Sequence, residues 1–345
     1  MPKYEYSQDK IKKNRKHAFE IAQTLPNFVS DYLMAVASST SSSTQLSYTY
    51  DIQHFINWWH DSVPELKDKQ ISEITAEDMS HVTPRDINEY LYTLQTTQNA
   101  KTLARKCTAI ASLYSHLTDF CGLTENPMDK VKRPKIRKDK RIIKLEHDEV
   151  AALLDAVENG CPNMPEHQLK YLRSTKNRDY AIIMLLLGSG IRVSECVGLD
   201  IDDVNFPQHY LNITRKGGKK QQLPVSDEVL EAISGYLVER ENMSTFAPKD
   251  ERALFLSTRH TRLCPAAVEN IVTKYTEALG FGKRITPHKL RKTYGTGLYQ
   301  QTKDIYLVAT ALGHENVNTT TQHYVPSEID ALQEVRNAVK LKPDD

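Results

Sequence analysis

The chain has 345 residues, of which 39% are hydrophobic and 26% are charged. This composition excludes a disordered or fibrous chain, and the length predicts about two globular domains. The formal net charge of only +1 excludes a uniformly basic protein, so any surface for nucleic acid must come from local clusters of lysine and arginine.

Cysteine usage and hydropathy predict a cytoplasmic protein. The five cysteines are scattered and form no C-x-x-C pair, which favours free thiols in a reducing compartment over a disulfide framework. The first residues carry no apolar stretch typical of a secretory signal. The longest apolar run, residues 181–187, is far shorter than the ~20 residues that span a bilayer, so we expect a buried helix there and no membrane partner.

Two helices are predicted in the N-terminal part of the chain from the spacing of their apolar residues. The first has its apolar face at Tyr48, Ile52, Phe55 and Trp59. The serines and threonines of residues 38–44 precede it and can cap its N-terminus. The second has its apolar face at Leu103, Cys107, Ile110, Tyr114 and Leu117.

A basic segment, residues 130–144, follows these helices and marks the clearest boundary in the chain. Nine of its fifteen residues are Lys or Arg and one is acidic, while Pro134 disfavours a continuous helix. Such a segment is either a solvated linker or a strand of positive charge that lies across DNA phosphates. A phosphodiester site elsewhere in the chain would favour the second interpretation.

The part after the basic segment is predicted to be mostly helical with a small antiparallel sheet. A helix begins at Leu145, residues 158–177 are typical of a loop with a short helix, and a buried helix from Asp179 ends at the glycines of residues 188–190. Residues 211–225 alternate apolar and polar side chains around Gly217-Gly218, which predicts a β-hairpin. Residues 227–342 are predicted to be helical again.

The motifs that carry chemistry lie in this second part. In Thr286-Pro-His-Lys-Leu-Arg291 the spacing puts His288 and Arg291 on one face of a helix whose first turn suits the proline. Leu-Gly-His314 and Tyr324 follow, and Arg192 comes shortly after the predicted buried helix. Two arginines, two histidines and a tyrosine are suited to holding and attacking a phosphodiester, whereas no zinc-binding pattern occurs, so we expect no metal site.

The ordered set resembles the tyrosine recombinase, or integrase, family, whose motif runs Arg, Lys, His-x-x-Arg, His or Trp, Tyr. The positions that match are Arg192, Lys216, His288, Arg291, His314 and Tyr324, with Glu195 at the acidic position of the family. The runs Thr-Arg-Lys-Gly-Gly-Lys and Thr-Pro-His-Lys-Leu-Arg-Lys-Thr look most like the Xer group, in particular the kind that works as a single recombinase. Lys292 departs from the pattern, because many members carry a histidine there.

The resemblance implies a role for each of these residues and no ATP, metal or other cofactor. Arg192 and Arg291 would hold the phosphate oxygens, and Tyr324 would form a 3′-phosphotyrosyl intermediate. Lys216 would protonate the leaving 5′ oxygen, although Lys219 and Lys220 share the hairpin tip. His288 and His314 would assist proton transfer or hydrogen bonding, and Glu195 would support the site.

The resemblance also implies an architecture and partners. Residues 1–129 would form a helical core-binding domain of the SAM-like kind, residues 130–144 a linker and residues 145–345 the catalytic domain. The candidate contacts with double-stranded DNA are Lys101, Arg105, Lys106, Lys135, Arg137, Lys138 and Lys140. A free monomer would assemble as a homotetramer on paired inverted half-sites, with a septal DNA translocase as a further partner. The apolar side of residues 328–341 would dock on a neighbouring protomer or pack on its own domain.

Three functions compete. The first is a Xer-like recombinase that resolves chromosome dimers, and the second is an integrase of a mobile element with the same chemistry. The third is a DNA-binding accessory protein whose catalytic site has decayed, and the complete set of site residues argues against it. No additional N-terminal arm-binding domain is evident, which favours the first function over the second.

Overall fold

The computed structural model of the protein describes residues 3–135, 143–161, 165–215, 218–243 and 250–314. The chain divides into two compact units. Ser7–Asp139 form the N-terminal unit, and Lys140–Asp345 together with Met1–Tyr6 form the C-terminal unit. The predicted fold class is confirmed, since both units are mainly helical and one small antiparallel sheet is present in the described part of the chain. In that part no helix has the length and apolar character needed to cross a bilayer.

The N-terminal unit is built from helices around one apolar core. Its α-helices are α1 (Lys3–Ala22, of which the part from Ser7 onwards belongs to this unit), α2 (Asn27–Ala35), α3 (Ser42–Ser62), α4 (Ala76–Ser80), α5 (Pro84–Leu94) and α6 (Ala100–Phe120). Helix α3 begins where the Ser41 hydroxyl accepts a hydrogen bond from the Thr44 N–H at 3.2 Å, as the serine-rich sequence predicts. The predicted apolar faces of α3 and α6 are confirmed, because both contribute to this core.

The C-terminal unit holds a second core, to which helices and a three-stranded sheet both contribute. Its α-helices are α7 (His147–Asn159), α8 (Glu166–Ser189), α9 (Val193–Val197), α10 (Asp227–Glu241), α11 (Pro265–Ala278), α12 (Pro287–Thr302) and α13 (Ile305–Leu312). The strands are β1 (Val204–Asn205), β2 (Tyr210–Thr214) and β3 (Lys220–Pro224), in the order β1-β2-β3. Leu211 lies opposite Leu223 and Thr214 opposite Lys220, so the predicted hairpin is confirmed.

Two predictions for this unit are wrong. Residues 158–177 are not mainly a loop, because α8 starts at Glu166 behind Pro165 and continues without a break through the charged residues into the buried run. The helical prediction for residues 227–342 misses residues 251–264, where isolated bridges pair Asp200 with Ala253 and Leu256 with Arg262. The Tyr306 side chain, on α13, is 70% exposed.

Candidate active site

Helix α12 presents the His-x-x-Arg motif at its first turns. Pro287 occupies the first helical position, where its missing N–H costs no hydrogen bond, and this prediction is confirmed. The two motif residues enter different surroundings: the His288 side chain is exposed, whereas that of Arg291 is only 2% exposed. The motif therefore directs one group outwards and one guanidinium into the protein.

The Arg291 guanidinium joins the ends of two other helices. Its Nη1 donates to the carbonyl oxygen of Gly190 at 2.5 Å, and its Nη2 donates to the carbonyl oxygen of Leu312. Gly190 ends α8 in the left-handed conformation with φ of 59°, and a Cβ there would lie 2.4 Å from Tyr294 Cδ1. The predicted helix stop at this glycine is thus confirmed, and Arg291 fixes the α8 end against the α13 end.

Arg192 lies just beyond that turn, at the position before α9. Its Nη1 donates to Glu195 Oε1 at 2.8 Å and its Nη2 donates to the carbonyl oxygen of Gly313 at 3.3 Å. The side chain is 36% exposed. Arg192 is therefore held on one side by protein acceptors while part of it faces solvent.

Glu195 is a buried carboxylate shared by two arginines. Its Oε2 accepts the backbone N–H of Arg192 at 2.8 Å, which caps the first turn of α9, and also accepts Arg215 Nη1 at 2.8 Å. With Arg192 Nη1 on its other oxygen, the carboxylate has three donors. Such a carboxylate fixes the arginines around it and leaves no polar atom of its own unsatisfied.

Arg215 is a site residue that the sequence motifs did not identify. Besides its bond to Glu195, its Nε donates to Gln221 Oε1 at 2.9 Å and its Nη2 donates to the carbonyl oxygen of Ala311 at 2.7 Å. Burial lowers the pKa of Arg215, and the charge of Glu195 opposes that shift. A signal was present in the sequence, because Arg215 continues the alternation of Leu211 and Ile213 on the buried side of the hairpin.

The three arginines meet at the C-terminal end of α13. Arg215, Arg291 and Arg192 donate to the consecutive carbonyl oxygens of Ala311, Leu312 and Gly313 respectively. The last carbonyl oxygens of a helix lack N–H donors within the helix and carry the negative end of its dipole, so cations are favoured there. The result is a concentration of positive charge at this end of the C-terminal unit.

Gly313 and His314 form the turn that follows α13. Gly313 has φ of 61°, and a Cβ at this position would lie 2.6 Å from Arg215 Nε, so both the backbone and the close approach require glycine. The His314 N–H donates to the carbonyl oxygen of Ala309 at 2.9 Å, and its side chain is half-buried. The Leu-Gly-His motif thus places His314 directly after the backbone carbonyls that accept from the three arginines.

The remaining predicted site residues are distributed as follows. Lys216 and Tyr324 lie outside the described residues. Lys219 and Lys220, which share the hairpin tip, are exposed. Lys292 is half-buried, and burial together with the neighbouring Lys289 lowers its pKa.

The candidate DNA contacts of the N-terminal unit do not share one environment. Lys101 is exposed, and Arg105 is partly exposed while it pairs with Asp51. Lys106 points inwards: its side chain is 6% exposed and its Nζ lies 3.2 Å from Asp51 Oδ1. The predicted contact of Lys106 with phosphate would therefore require its ammonium group to leave Asp51 and the core. In the basic segment Lys135 is exposed, whereas Arg137, Lys138 and Lys140 lie outside the described residues.

Comparison with known proteins identifies relatives along most of the chain. Residues 144–329 match the phage integrase family. The tyrosine recombinase XerS of Streptococcus equi subsp. equi (strain 4047) is 31% identical over 331 residues, which cover 87% of this chain and 92% of the relative. The XerS protein of Streptococcus pneumoniae (strain P1031) is 31% identical over 332 residues, with the same coverage of each chain.

Two solved structures share the fold. The XerH site-specific recombinase in its post-cleavage complex with a palindromic difH substrate has a TM-score of 0.66 at 18% identity and covers 94% of this chain and 92% of its own. The Tn1549 transposon integrase in complex with circular intermediate DNA has a TM-score of 0.65 at 17% identity and covers 90% of this chain and 99% of its own.

Proposed function

The chain belongs to the phage integrase family, and we propose that it is a site-specific DNA recombinase that cuts and rejoins DNA through a 3′-phosphotyrosyl intermediate on Tyr324. One observation supports this most directly. Arg192 and Arg291 both donate to backbone carbonyls at the end of α13, directly before His314. A cluster of permanent cations that is partly exposed suits a phosphodiester, because guanidinium groups bind phosphate oxygens in a fork-like geometry.

The two arginines are assigned to the non-bridging oxygens of the phosphate in different ways. Arg192 has the more exposed guanidinium and would make the direct contact. Arg291 is buried and would add its charge while it holds the ends of α8 and α13 in register. Such preorganised cations stabilise the charge that develops in the transition state without having to reorient during the reaction.

The reaction then proceeds by two transesterifications. The Tyr324 hydroxyl oxygen attacks phosphorus and passes its proton to a base, for which the histidines of the site are the candidates. The bond to the 5′ oxygen breaks, and Lys216 supplies the proton that this leaving oxygen takes up. His288 and His314 assist by hydrogen bonding or proton transfer. The 5′ hydroxyl of a second strand reverses these steps, so the phosphotyrosyl bond conserves the energy needed for rejoining and no nucleotide cofactor is consumed.

The biological role we propose is that of a Xer recombinase acting alone on chromosome dimers. The relatives that are 31% identical along most of the chain are named XerS, which favours this role over that of a mobile-element integrase. The DNA partner is a duplex with paired inverted half-sites, bound by four copies of the chain, and a septal DNA translocase is the further partner. The core-binding domain, linker and catalytic domain at residues 1–129, 130–144 and 145–345 would surround the duplex.

The chemical proposal is tested by replacing Tyr324 with phenylalanine. We expect the variant to bind DNA and to form no covalent adduct on a duplex nicked near the cleavage point, as resolved on a denaturing gel. Tyr306→Phe is the matched control, because this exposed tyrosine on α13 also loses only one oxygen. An adduct with the Tyr324 variant would identify another nucleophile.

The biological proposal is tested by mapping the bound DNA. A footprint on genomic DNA should recover one palindromic site in the chromosome, and deletion of that site should leave unresolved chromosome dimers. Recovery of sites only at the ends of a mobile element would assign the chain to the integrase role instead.

A further inference from the structure

The chemistry proposed above assigns no role to the buried residue Arg215, although Arg215 and Arg192 donate to the same carboxylate, that of Glu195. Each of its three guanidinium nitrogens donates to a protein acceptor: Glu195, Gln221 and the carbonyl oxygen of Ala311. Its side chain is 6% exposed, so it does not present a guanidinium to a substrate. Its effect must pass through the groups that it contacts.

We propose that Arg215 is a positioning residue that balances the buried charge of Glu195 and so leaves the Arg192 guanidinium available to the substrate phosphate. This inference rests on the proposed function, because it concerns how the cleaving site keeps its positive charge.

The Glu195 carboxylate lies where its negative charge opposes the positive charge of Arg192. Glu195 is buried and caps α9 through the Arg192 N–H, so the same carboxylate that orders this turn also brings a negative charge next to Arg192. A buried pair of one arginine and one glutamate has no net charge. In such a pair the glutamate would compete with a phosphate for the guanidinium. Arg192 alone would therefore be neutralised by the residue that positions it.

The two oxygens of the Glu195 carboxylate accept hydrogen bonds from different groups. Oε1 accepts from the Arg192 side chain, whereas Oε2 accepts from the Arg192 backbone and from Arg215. Arg215 thus neutralises Glu195 through the carboxylate oxygen that the Arg192 guanidinium does not contact. The group of two arginines and one glutamate keeps a net charge of +1, and its exposed member is Arg192.

The backbone and side chains around Arg215 leave room for its guanidinium and hold it in place. Gly313 has no Cβ where one would lie 2.6 Å from Arg215 Nε and 2.8 Å from its Cζ. The side chain of Gln221 accepts from Arg215 and donates to the carbonyl oxygen of Thr310 at 3.3 Å. Two strands of the hairpin and the end of α13 therefore hold this guanidinium in one place, as a group that acts through fixed charge requires.

The experiment is a double-mutant cycle on cleavage. It compares the wild type, Arg215→Gln, Glu195→Gln and the double variant in single-turnover cleavage of a nicked duplex that carries the footprinted site. We expect Arg215→Gln to cleave about 10- to 100-fold more slowly, which is less than the ~10²–10³ typical of a donor that contacts the transition state directly, because Arg215 acts through another residue. In the Glu195→Gln background, where no carboxylate remains to be balanced, the same change should alter the rate by at most about threefold.

A control separates loss of function from loss of stability. Arg178→Gln removes another buried arginine, one that pairs with Asp179 and donates to the carbonyl oxygen of Leu256. It lies on α8, about 18 Å along the helix from Gly190 at 1.5 Å per residue. This control should lower the melting temperature while its folded fraction cleaves at the wild-type rate.

The outcomes distinguish the possible failures. If the double variant cleaves more than about tenfold more slowly than Glu195→Gln, Arg215 acts independently of Glu195 and the inference is overturned. This comparison remains valid even if Arg215→Gln alone does not fold, because breaking only one side of a buried pair is the destabilising change. If the wild type itself forms no adduct, the proposed function fails instead.

Discussion

Replacement of Gly313 by alanine tests the arrangement of the site with a single methyl group. The added Cβ would lie 2.6 Å from Arg215 Nε, which is closer than a real contact permits, so the guanidinium must move. The positive φ of 61° costs alanine about 1–2 kcal/mol by itself. Loss of the charged hydrogen bond from Arg215 to the Ala311 carbonyl adds about 1.5–3 kcal/mol. We therefore expect a total destabilisation of the C-terminal unit of about 2.5–5 kcal/mol.

Gly280→Ala is the matched control for this prediction. Gly280 follows α11 with φ of 65°, nearly the same backbone conformation, but no atom lies within 4 Å of the position that a Cβ would take. Its replacement should cost only the backbone term, about 1–2 kcal/mol. At roughly 2–4 °C per kcal/mol, the melting temperature of the C-terminal unit should fall clearly further for Gly313→Ala than for the control.

Calorimetry of the full chain and single-turnover cleavage provide the two measurements. The Gly313 variant should lose cleavage activity at temperatures where it is still folded, because the Arg215 guanidinium can no longer keep its bonds to both Ala311 and Glu195. The control should cleave as the wild type does. Equal melting temperatures for the two variants, with full cleavage by both, would refute the packing of Arg215 beneath this turn.

Three further predictions concern charge. Arg192→Lys keeps the charge but loses the fork, so cleavage should fall by ~10²–10³, and a near-normal rate would remove Arg192 from the site. Neutralising the basic segment to glutamine should weaken DNA binding and make the log–log salt slope shallower by about 0.9 per lost phosphate contact, whereas an unchanged slope would mean a simple tether. The positions to change are Lys135, Arg137, Lys138 and Lys140. In the N-terminal unit, burial acts to raise the pKa of Asp78, but hydrogen bonds from Lys69 and Thr75 lower it to about 2. Because the pKa is depressed in the folded state, the ionised Asp78 carboxylate stabilises the fold at pH values above its ordinary pKa of 3.8, by about 1 kcal/mol once solvent screening is taken into account. This stabilisation is lost as pH falls towards 2. The stability difference between wild type and Asp78→Asn in urea should therefore shrink over that range, and a constant difference would contradict the assignment.

Much of the fold could be predicted because it depends on local sequence. The faces of α3 and α6, the glycine that ends α8 and the hairpin all follow from periodicity or from residues with special backbone preferences. The start of α8 could not be predicted as well. Its first half is charged and lies beside two prolines, and only the packing of the continuous helix in the C-terminal unit overrides that local signal.

The order of the motif residues could also be predicted, but their different exposures could not. His288 and Arg291 share the first turns of α12, yet one is exposed and the other is buried against the ends of α8 and α13. Spacing on one helix specifies the face on which a residue lies. It does not specify which other helix ends meet that face, because this depends on tertiary packing.

Lys106 and Arg215 show the same limit for charged residues. Lys106 lies three residues after Leu103 and four before Ile110, so helical spacing places it at the edge of the apolar face of α6. Arg215 lies on the buried side of the hairpin by strand alternation. A charge in either position requires a buried partner of opposite sign, since an unpaired one is too costly to bury. The sequence therefore indicates that partners exist, but only the packing of distant elements selects Asp51 for the one and Glu195 for the other. A lysine near a predicted DNA surface is thus a phosphate contact only when no buried carboxylate already holds it.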